Sequence, residues 1–229
     1  MDAILFDCDG VLVESEILYQ EIQMQALADL GLTYEKEDYV SRFMGIGDKA
    51  FYEETNKDHQ KKFGKNLPVN FESDLKAFLE IEFEKRLQPV ENISNILAQI
   101  SRPMAVASSS HLTFLHTKLA HTGLSDFFGE HVYSADMVER AKPFPDLFLF
   151  SADHLQTPPD RCIVIEDSEH GVKAGLAANM HVIGFCGASH CNEAHAEKLK
   201  NAGAHDIAMS VEELENLLRP VLHAQRFSA

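Results

Sequence analysis

The sequence predicts a doubly wound α/β fold on a mainly parallel sheet, with a small all-helical domain inserted after the first strand. Three observations lead there. Short apolar runs that read as buried strands alternate with helical patterns along most of the chain. Four of these runs are followed by polar residues able to handle phosphate or metal. Between residues 14 and 87 the alternation lapses and only helical stretches remain.

The first strand, Ala3–Phe6, ends abruptly in Asp7-Cys8-Asp9-Gly10. Two carboxylates that close at a strand end repel each other unless a cation or proton is shared between them. The insert opens with a helix from near Ser15 to Leu30-Gly31 and closes with one carrying Leu75, Phe78, Leu79, Phe83 and Leu87. The expected domains are therefore residues 1–13 with 88–229 as the α/β core, and residues 14–87 as a helical cap. A cap after the first strand is expected over that strand's carboxyl end, where ligands bind in open α/β sheets.

Past the insert, Ile93, Ile96, Leu97 and Ile100 repeat at helical spacing. Residues 104–107 form the second strand, which runs into Ser108, Ser109 and Ser110; Ser110 reads as the cap of the next helix. That helix carries Leu112, Leu115 and Leu119, and Gly123 is placed to stop it. Val132-Tyr133 is the third strand, with Lys142-Pro143 shortly after it. The fourth, residues 162–165, ends in Glu166-Asp167-Ser168. His181–Phe185 and, more weakly, residues 206–209 complete the sheet. Ser210 and Glu213 have the spacing of a capping box, opening a helix that buries Leu214, Leu217 and Leu218.

Composition narrows the function classes. The 229 residues are 45% hydrophobic and 24% charged, values that support a sizeable core and exclude wholesale disorder. A net charge of −16 argues against nucleic-acid and anionic-membrane partners, because phosphates are repelled. A small phosphorylated substrate is still compatible, since a metal and one or two lysines can reverse the field locally. The four cysteines show no CxxC spacing and read as reduced structural thiols of a cytoplasmic protein. His190, Cys191 and His195 hint at zinc but lack four ligands, and read as loop residues. No signal peptide and no membrane-spanning stretch is expected.

In a parallel sheet the strand carboxyl ends share one edge, so Asp7, Asp9, Ser108, Lys142, Glu166 and Asp167 can meet despite their separation in sequence. Four carboxylates against Lys142 imply a divalent cation in that crevice, and oxygen ligands without His or Cys favour Mg²⁺ over zinc.

Asp7-x-Asp9-Gly10-Val11-Leu12-Val13, the strand-terminal Ser108, Lys142-Pro143 and Glu166-Asp167-Ser168 resemble the four motifs of the haloacid dehalogenase superfamily, over the whole chain. The helical insert resembles that of the subfamily which includes β-phosphoglucomutase and many small sugar-phosphate phosphatases. Residues 7–16 also resemble phosphatases of the 6-phosphogluconate type. The resemblance implies a Rossmann-like core and a phosphatase acting on a small phosphorylated metabolite. It makes Asp7 the nucleophile and Asp9 the general acid and base. Ser108 and the Ser109 backbone N–H would hold the phosphoryl oxygens, and Lys142 would fix the nucleophile. Asp7, the Asp9 carbonyl, Asp167 and Glu166, direct or through water, would bind Mg²⁺. Gly45-Ile46-Gly47-Asp48-Lys49 matches the position of the family's specificity loop, so Gly45 and Lys49 are expected to touch substrate.

A mutase of the β-phosphoglucomutase type keeps every core motif. Hydrolysis is expected instead because Tyr19 and Asp48 fall where that mutase has a histidine linked to cap closure and an arginine gripping a second phosphate. A dehalogenase would lack Asp9 and the Glu166-Asp167 pair. A receiver-like signalling protein or non-catalytic phosphate-binding module is the alternative of another class. A receiver has no large insert after its first strand, and a phosphate-binding module needs no paired aspartates. A nucleotide-binding oxidoreductase would want GxGxxG after its first strand, and none is present.

Overall fold

A computed structural model describes residues 1–43, Ile46 and 48–222, without the Asp48 side chain. Gly45, Gly47 and that side chain lie outside the described residues. Two compact units are present: Met1–Glu14 with Leu87–Ala229, and Ser15–Arg86. Glu14 and Leu87, counted with the insert on sequence grounds, pack with the α/β unit. The Glu14 carboxylate accepts from Ser189 N–H at 3.0 Å, and Leu87 is buried.

The α/β unit begins with β1 (Ala3–Phe6), and the chain then leaves for the second unit through α1 (Ser15–Asp29), α2 (Lys36–Phe43), α3 (Asp48–Phe63) and α4 (Phe71–Arg86). It resumes with α5 (Ile93–Gln99), β2 (Met104–Ser108), α6 (Leu112–His121), α7 (Ser125–Phe128) and β3 (Val132–Ser134). Then follow α8 (Asp146–His154), β4 (Cys162–Glu166), α9 (Glu169–Ala177), β5 (His181–Phe185), α10 (Glu193–Ala202), β6 (Asp206–Ala208) and α11 (Val211–Leu222). All six strands are parallel, in the order β3-β2-β1-β4-β5-β6. That is the doubly wound arrangement, and its reversal point lies between β1 and β4.

β1 is apolar throughout because helices cover both its faces. Ala3 and Leu5 pack toward Leu147 and Phe148 of α8 and Val172 of α9. Phe6, one step along the pleat, meets the Phe128 ring of α7 edge-on at 6.0 Å between centroids. The capping box at α11 forms with one change of register. Ser210 accepts from Glu213 N–H at 3.1 Å, but the Glu213 carboxylate reaches back to Met209 N–H at 2.8 Å, one residue earlier than the motif implies. α6 is not capped by Ser110: the Asp136 carboxylate accepts from Leu112 N–H at 2.9 Å instead. The way out of and back into the α/β unit is a narrow neck, tied by an antiparallel bridge between Val13 and Pro89 and by Glu14 N–H to Gln88 C=O at 2.9 Å.

The second unit has its own core. Tyr39 and Phe43 of α2, Phe51 of α3 and Leu75, Leu79 and Phe83 of α4 are buried, with Leu27 of α1. Rings of Tyr34, Tyr39, Phe43 and Phe51 contact one another edge-on or tilted, at 5.1–6.4 Å.

α9 lies close on the sheet. A Cβ at Gly175 would stand 2.7 Å from Val182 Cγ2 and 3.5 Å from Val164. Alanine gains about 1 kcal/mol of helix propensity over glycine, whereas overpacking a filled core costs about 1–3 kcal/mol. Val164 and Val182 are fully buried in paired strands and cannot retreat, so the clash wins. Gly175→Ala is expected to lower unfolding free energy in urea by about 1 kcal/mol; a variant more stable than the parent would show that α9 has room to move.

Candidate active site

The carboxyl ends of β2, β1 and β4 bring four separated segments together. The β1–β4 ladder extends one step past β1, with Asp7 N–H donating to Ile165 C=O at 3.0 Å. The chain then turns: Leu12 N–H and Val13 N–H return to Cys8 C=O at 2.9 and 3.1 Å, and Gly10 N–H donates to Val13 C=O at 2.9 Å. Gly10 has φ +74°, and a Cβ there would run into the Asp167 carboxylate and the His190 ring. Glycine is therefore what lets the end of β4 approach the aspartate turn.

Lys142 ties the cluster together. Its ammonium donates to Asp7 Oδ1 at 2.5 Å, Glu166 Oε1 at 2.6 Å and Ala107 C=O at 2.9 Å. Burial works to lower the Lys142 pKa, but Asp7 and Glu166 outweigh it and hold the ammonium above the ordinary lysine range. Glu166 is fully buried, and its second oxygen accepts from both the N–H and the hydroxyl of Ser168 at 2.9 Å. The Ser168 hydroxyl oxygen in turn accepts from Gly171 N–H at 3.0 Å and caps α9.

Asp9 has different company. Lys118 donates to its Oδ1 at 2.5 Å and Ser110 Oγ donates to its Oδ2 at 2.8 Å, while Lys118 also donates to Ser110 Oγ at 3.0 Å. Sequence reasoning missed Lys118, and it misassigned Ser110 as a helix cap. A signal existed for the lysine: it lies three residues after Leu115 and next to Leu119, on the buried stripe of α6, where a solvated lysine does not belong. Ser108 ends β2 as expected, and its Oγ accepts from Ser110 N–H at 3.1 Å. Ser109 follows it and is exposed. Lys49, in the second unit, is exposed, and Gly45 lies outside the described residues.

Around Asp167 stand two imidazoles set aside on sequence grounds. His190 Nε2 is 3.2 Å from Asp167 Oδ2, and His195 Nε2 is 2.5 Å from the Asp167 carbonyl oxygen, to which its N–H donates. Burial holds the His195 pKa below the ordinary imidazole value.

The donors fit a hard divalent cation. Burial pushes the Asp7 and Asp167 carboxyls well above the usual range; Lys142 opposes this at both, and the neighbouring carboxylates add to it. Asp7, Asp9, Glu166 and Asp167 set against the ammonium groups of Lys142 and Lys118 leave two negative charges, the charge one divalent ion neutralises. Oxygen donors of this kind suit Mg²⁺.

Lys118 is 1% exposed, and its partner Asp9 is only partly covered. Breaking a buried pair by removing one member costs about 3 kcal/mol or more. Lys118→Met is expected to destabilise the chain by about that amount in equilibrium unfolding. Adding Asp9→Asn should recover part of it, and strictly additive losses would show that the pair is not coupled.

A family model of haloacid dehalogenase-like hydrolases matches residues 4–185. The chain is 26% identical over 190 residues to 6-phosphogluconate phosphatase of Escherichia coli, covering 83% of this chain and 85% of that one. It is 29% identical to phosphorylated carbohydrates phosphatase of Thermotoga maritima over 97% of this chain and all of that one. Among solved structures, a haloacid dehalogenase family hydrolase from Deinococcus radiodurans, with bound phosphate and sodium, superposes with a TM-score of 0.82 at 32% identity over 97% of each chain. Matched over most of its length and carrying a carboxylate cluster at the switch point of a doubly wound sheet, the chain belongs to the family of haloacid dehalogenase-like hydrolases.

Proposed function

We propose that the chain is a Mg²⁺-dependent phosphatase that hydrolyses a small phosphorylated metabolite, a sugar phosphate or phosphorylated sugar acid, by way of an aspartyl-phosphate on Asp7. One observation carries this reading. Two aspartates one residue apart are held by different partners: Asp7 by Lys142, Asp9 by Lys118 and Ser110. Neighbouring carboxylates in unlike environments can divide the roles of nucleophile and acid/base between them.

In the first half-reaction an Asp7 carboxylate oxygen bonds to phosphorus as the bond to the leaving oxygen breaks, and the Asp9 carboxyl gives that oxygen its proton. In the second, water attacks the same phosphorus, Asp9 takes the water's proton, and the P–O bond to Asp7 breaks to release inorganic phosphate. Lys142 keeps Asp7 aimed and draws off its charge. The Ser108 hydroxyl and the Ser109 N–H hold phosphoryl oxygens. Asp7, the Asp9 carbonyl oxygen and Asp167 would hold Mg²⁺, which when bound neutralises charge on the phosphoryl oxygens. Glu166, whose carboxylate Lys142 and Ser168 already engage, would contribute through water. The inserted helical unit is assigned the choice of substrate, with Lys49 and Gly45 its candidate contacts.

Names borne by relatives support the substrate class: 6-phosphogluconate phosphatase, phosphorylated carbohydrates phosphatase and fructose-1-phosphate phosphatase. Hydrolysis is favoured over mutase chemistry because Tyr19, whose ring packs on Phe83 at 4.8 Å, brings no imidazole where the mutase has its histidine.

A panel of phosphorylated sugars and sugar acids with Mg²⁺ should release inorganic phosphate, and Asp7→Asn should fall to background with its fold intact. Turnover surviving in Asp7→Asn would remove the nucleophile assignment. Conversion of β-glucose 1-phosphate to glucose 6-phosphate, with a trace of bisphosphate and little free phosphate, would place the enzyme with the mutases.

The metal has a readout besides activity. Mg²⁺ at about 100 times its dissociation constant stabilises the folded form by about 2.7 kcal/mol, about 5–10 °C in thermal midpoint for a chain of this size. A chelator should reverse the shift. Asp167→Asn relieves repulsion, so it should raise the metal-free midpoint while abolishing the Mg²⁺ response; a response unchanged in that variant would refute the ligand assignment.

A further inference from the structure

The loop between β5 and α10 gathers soft ligands beside the oxygen-lined crevice. One ligand atom from each of Cys186, Cys191 and His195 lies within 4.8 Å of the other two. Cys186 follows β5 directly, and His195 sits in the first turn of α10. His190 stands beside this trio, its Nε2 3.3 Å from Cys191 Sγ, but that nitrogen also faces Asp167 at 3.2 Å and is not counted as a ligand. Zinc bonds of about 2.3 Å to sulfur and about 2.0 Å to nitrogen, at tetrahedral angles, separate two such ligands by about 3.5 Å. We propose that Cys186, Cys191 and His195 form a binding site for a single zinc-like transition-metal ion, with its fourth position left to an outside ligand such as water, separate in ligand chemistry from the carboxylate crevice.

The backbone fixes this constellation without help from an ion. Cys186 N–H donates to Ala208 C=O at 2.8 Å, Cys191 N–H to Ala188 C=O at 3.1 Å and His195 N–H to Asn192 Oδ1 at 3.0 Å. Ser189 N–H is held by the Glu14 carboxylate at 3.0 Å. His195 also has the support that metal-binding histidines usually have. Its Nε2–H donates to the Asp167 carbonyl, which leaves Nδ1 carrying the lone pair for a metal. Cys186 is nearly fully buried, so an ion there trades water for protein ligands. Two sulfurs and an imidazole select zinc-like ions against Mg²⁺, whose preference is for oxygen. Each cysteine gives up its proton on binding, and the ion takes the sulfur lone pair with no change of oxidation state.

The test uses the full chain, kept reduced by a phosphine and stripped of metal by dialysis against chelator, with Co²⁺ as the probe. One equivalent of Co²⁺ should produce thiolate-to-cobalt charge-transfer absorption and the intense visible bands of a tetrahedral ion, both displaced by Zn²⁺. Cys186→Ser and Cys191→Ser should each lose the charge-transfer band, and Cys162→Ser should keep it. His195→Ala should weaken binding at least as much as loss of an outer-sphere partner does, about 10–100-fold. Should a serine variant fail to fold, Zn²⁺ protection of two of the four thiols from alkylation in the unmodified chain gives the same answer. The proposal is overturned if cobalt does not bind, if it binds without the thiolate band, or if the band survives loss of both cysteines. Only two titratable thiols in denatured, unreduced protein would also overturn it, since Cys186 and Cys191 would then be paired in a disulfide.

Discussion

The ammonium of Lys142 is the interaction on which the crevice depends. It reaches Asp7 after β1, Glu166 at the end of β4 and the Ala107 carbonyl in β2, so one side chain joins three adjacent strand ends. Two unit charges 4 Å apart interact by about 4 kcal/mol at an effective dielectric of 20. A buried Asp7 beside a buried Glu166 and Asp167 without that ammonium would give up its charge rather than keep it. The rest of the local architecture follows from holding it there. Glu166 points inward to meet the lysine, its spare oxygen then needs donors, and Ser168 supplies two while also capping α9.

Sheet topology decides what else can enter. β1 lies between β2 and β4, so a residue just past its end is within reach of both neighbours. A long insertion after β1 is tolerated because the chain leaves and returns through two paired segments, Val13 bridging to Pro89, and no strand has to move to admit it. The insert has a separate aromatic core. The two units therefore have separate cores, and the helices can vary without disturbing the sheet.

The parts of this arrangement readable in the sequence were those written in local pattern. Six strands could be placed because each is a short apolar run bounded by turn or polar residues, and Asp7, Asp9, Ser108 and Glu166-Asp167 because each stands at such a boundary. The strand order was not readable, since nothing local to β4 says that it pairs with β1. Lys118 was hidden for a related reason. Its role arises across 109 residues of sequence, and along α6 it shows only as a lysine on an apolar stripe. Ser110 was misread because a serine ahead of a helix is usually its cap, yet Asp136, from after β3, does that work and leaves Ser110 for Asp9. His190, Cys191 and His195 read as loop residues without four zinc ligands, and Cys186 was not weighed with Cys191 and His195 because it belongs, by sequence, to the end of a strand. Only the turn back from β5 puts it with the others.

Asp167 joins the two neighbourhoods, and the way it is held matters to the charge on both sides. Its carboxylate faces His190 and its carbonyl oxygen accepts from His195. Were His195 an imidazolium, it would add positive charge beside the crevice and reduce the need for a cation. Burial lowers its pKa and favours the neutral ring, which positions Asp167 by hydrogen bonding alone. A neutral His195 then adds no positive charge to the four carboxylates and two ammonium groups of the crevice. A neutral ring is also the form with a lone pair to offer a metal on its other side. The same burial that withholds a positive charge from the oxygen side thus leaves His195 a lone pair on its other ring nitrogen.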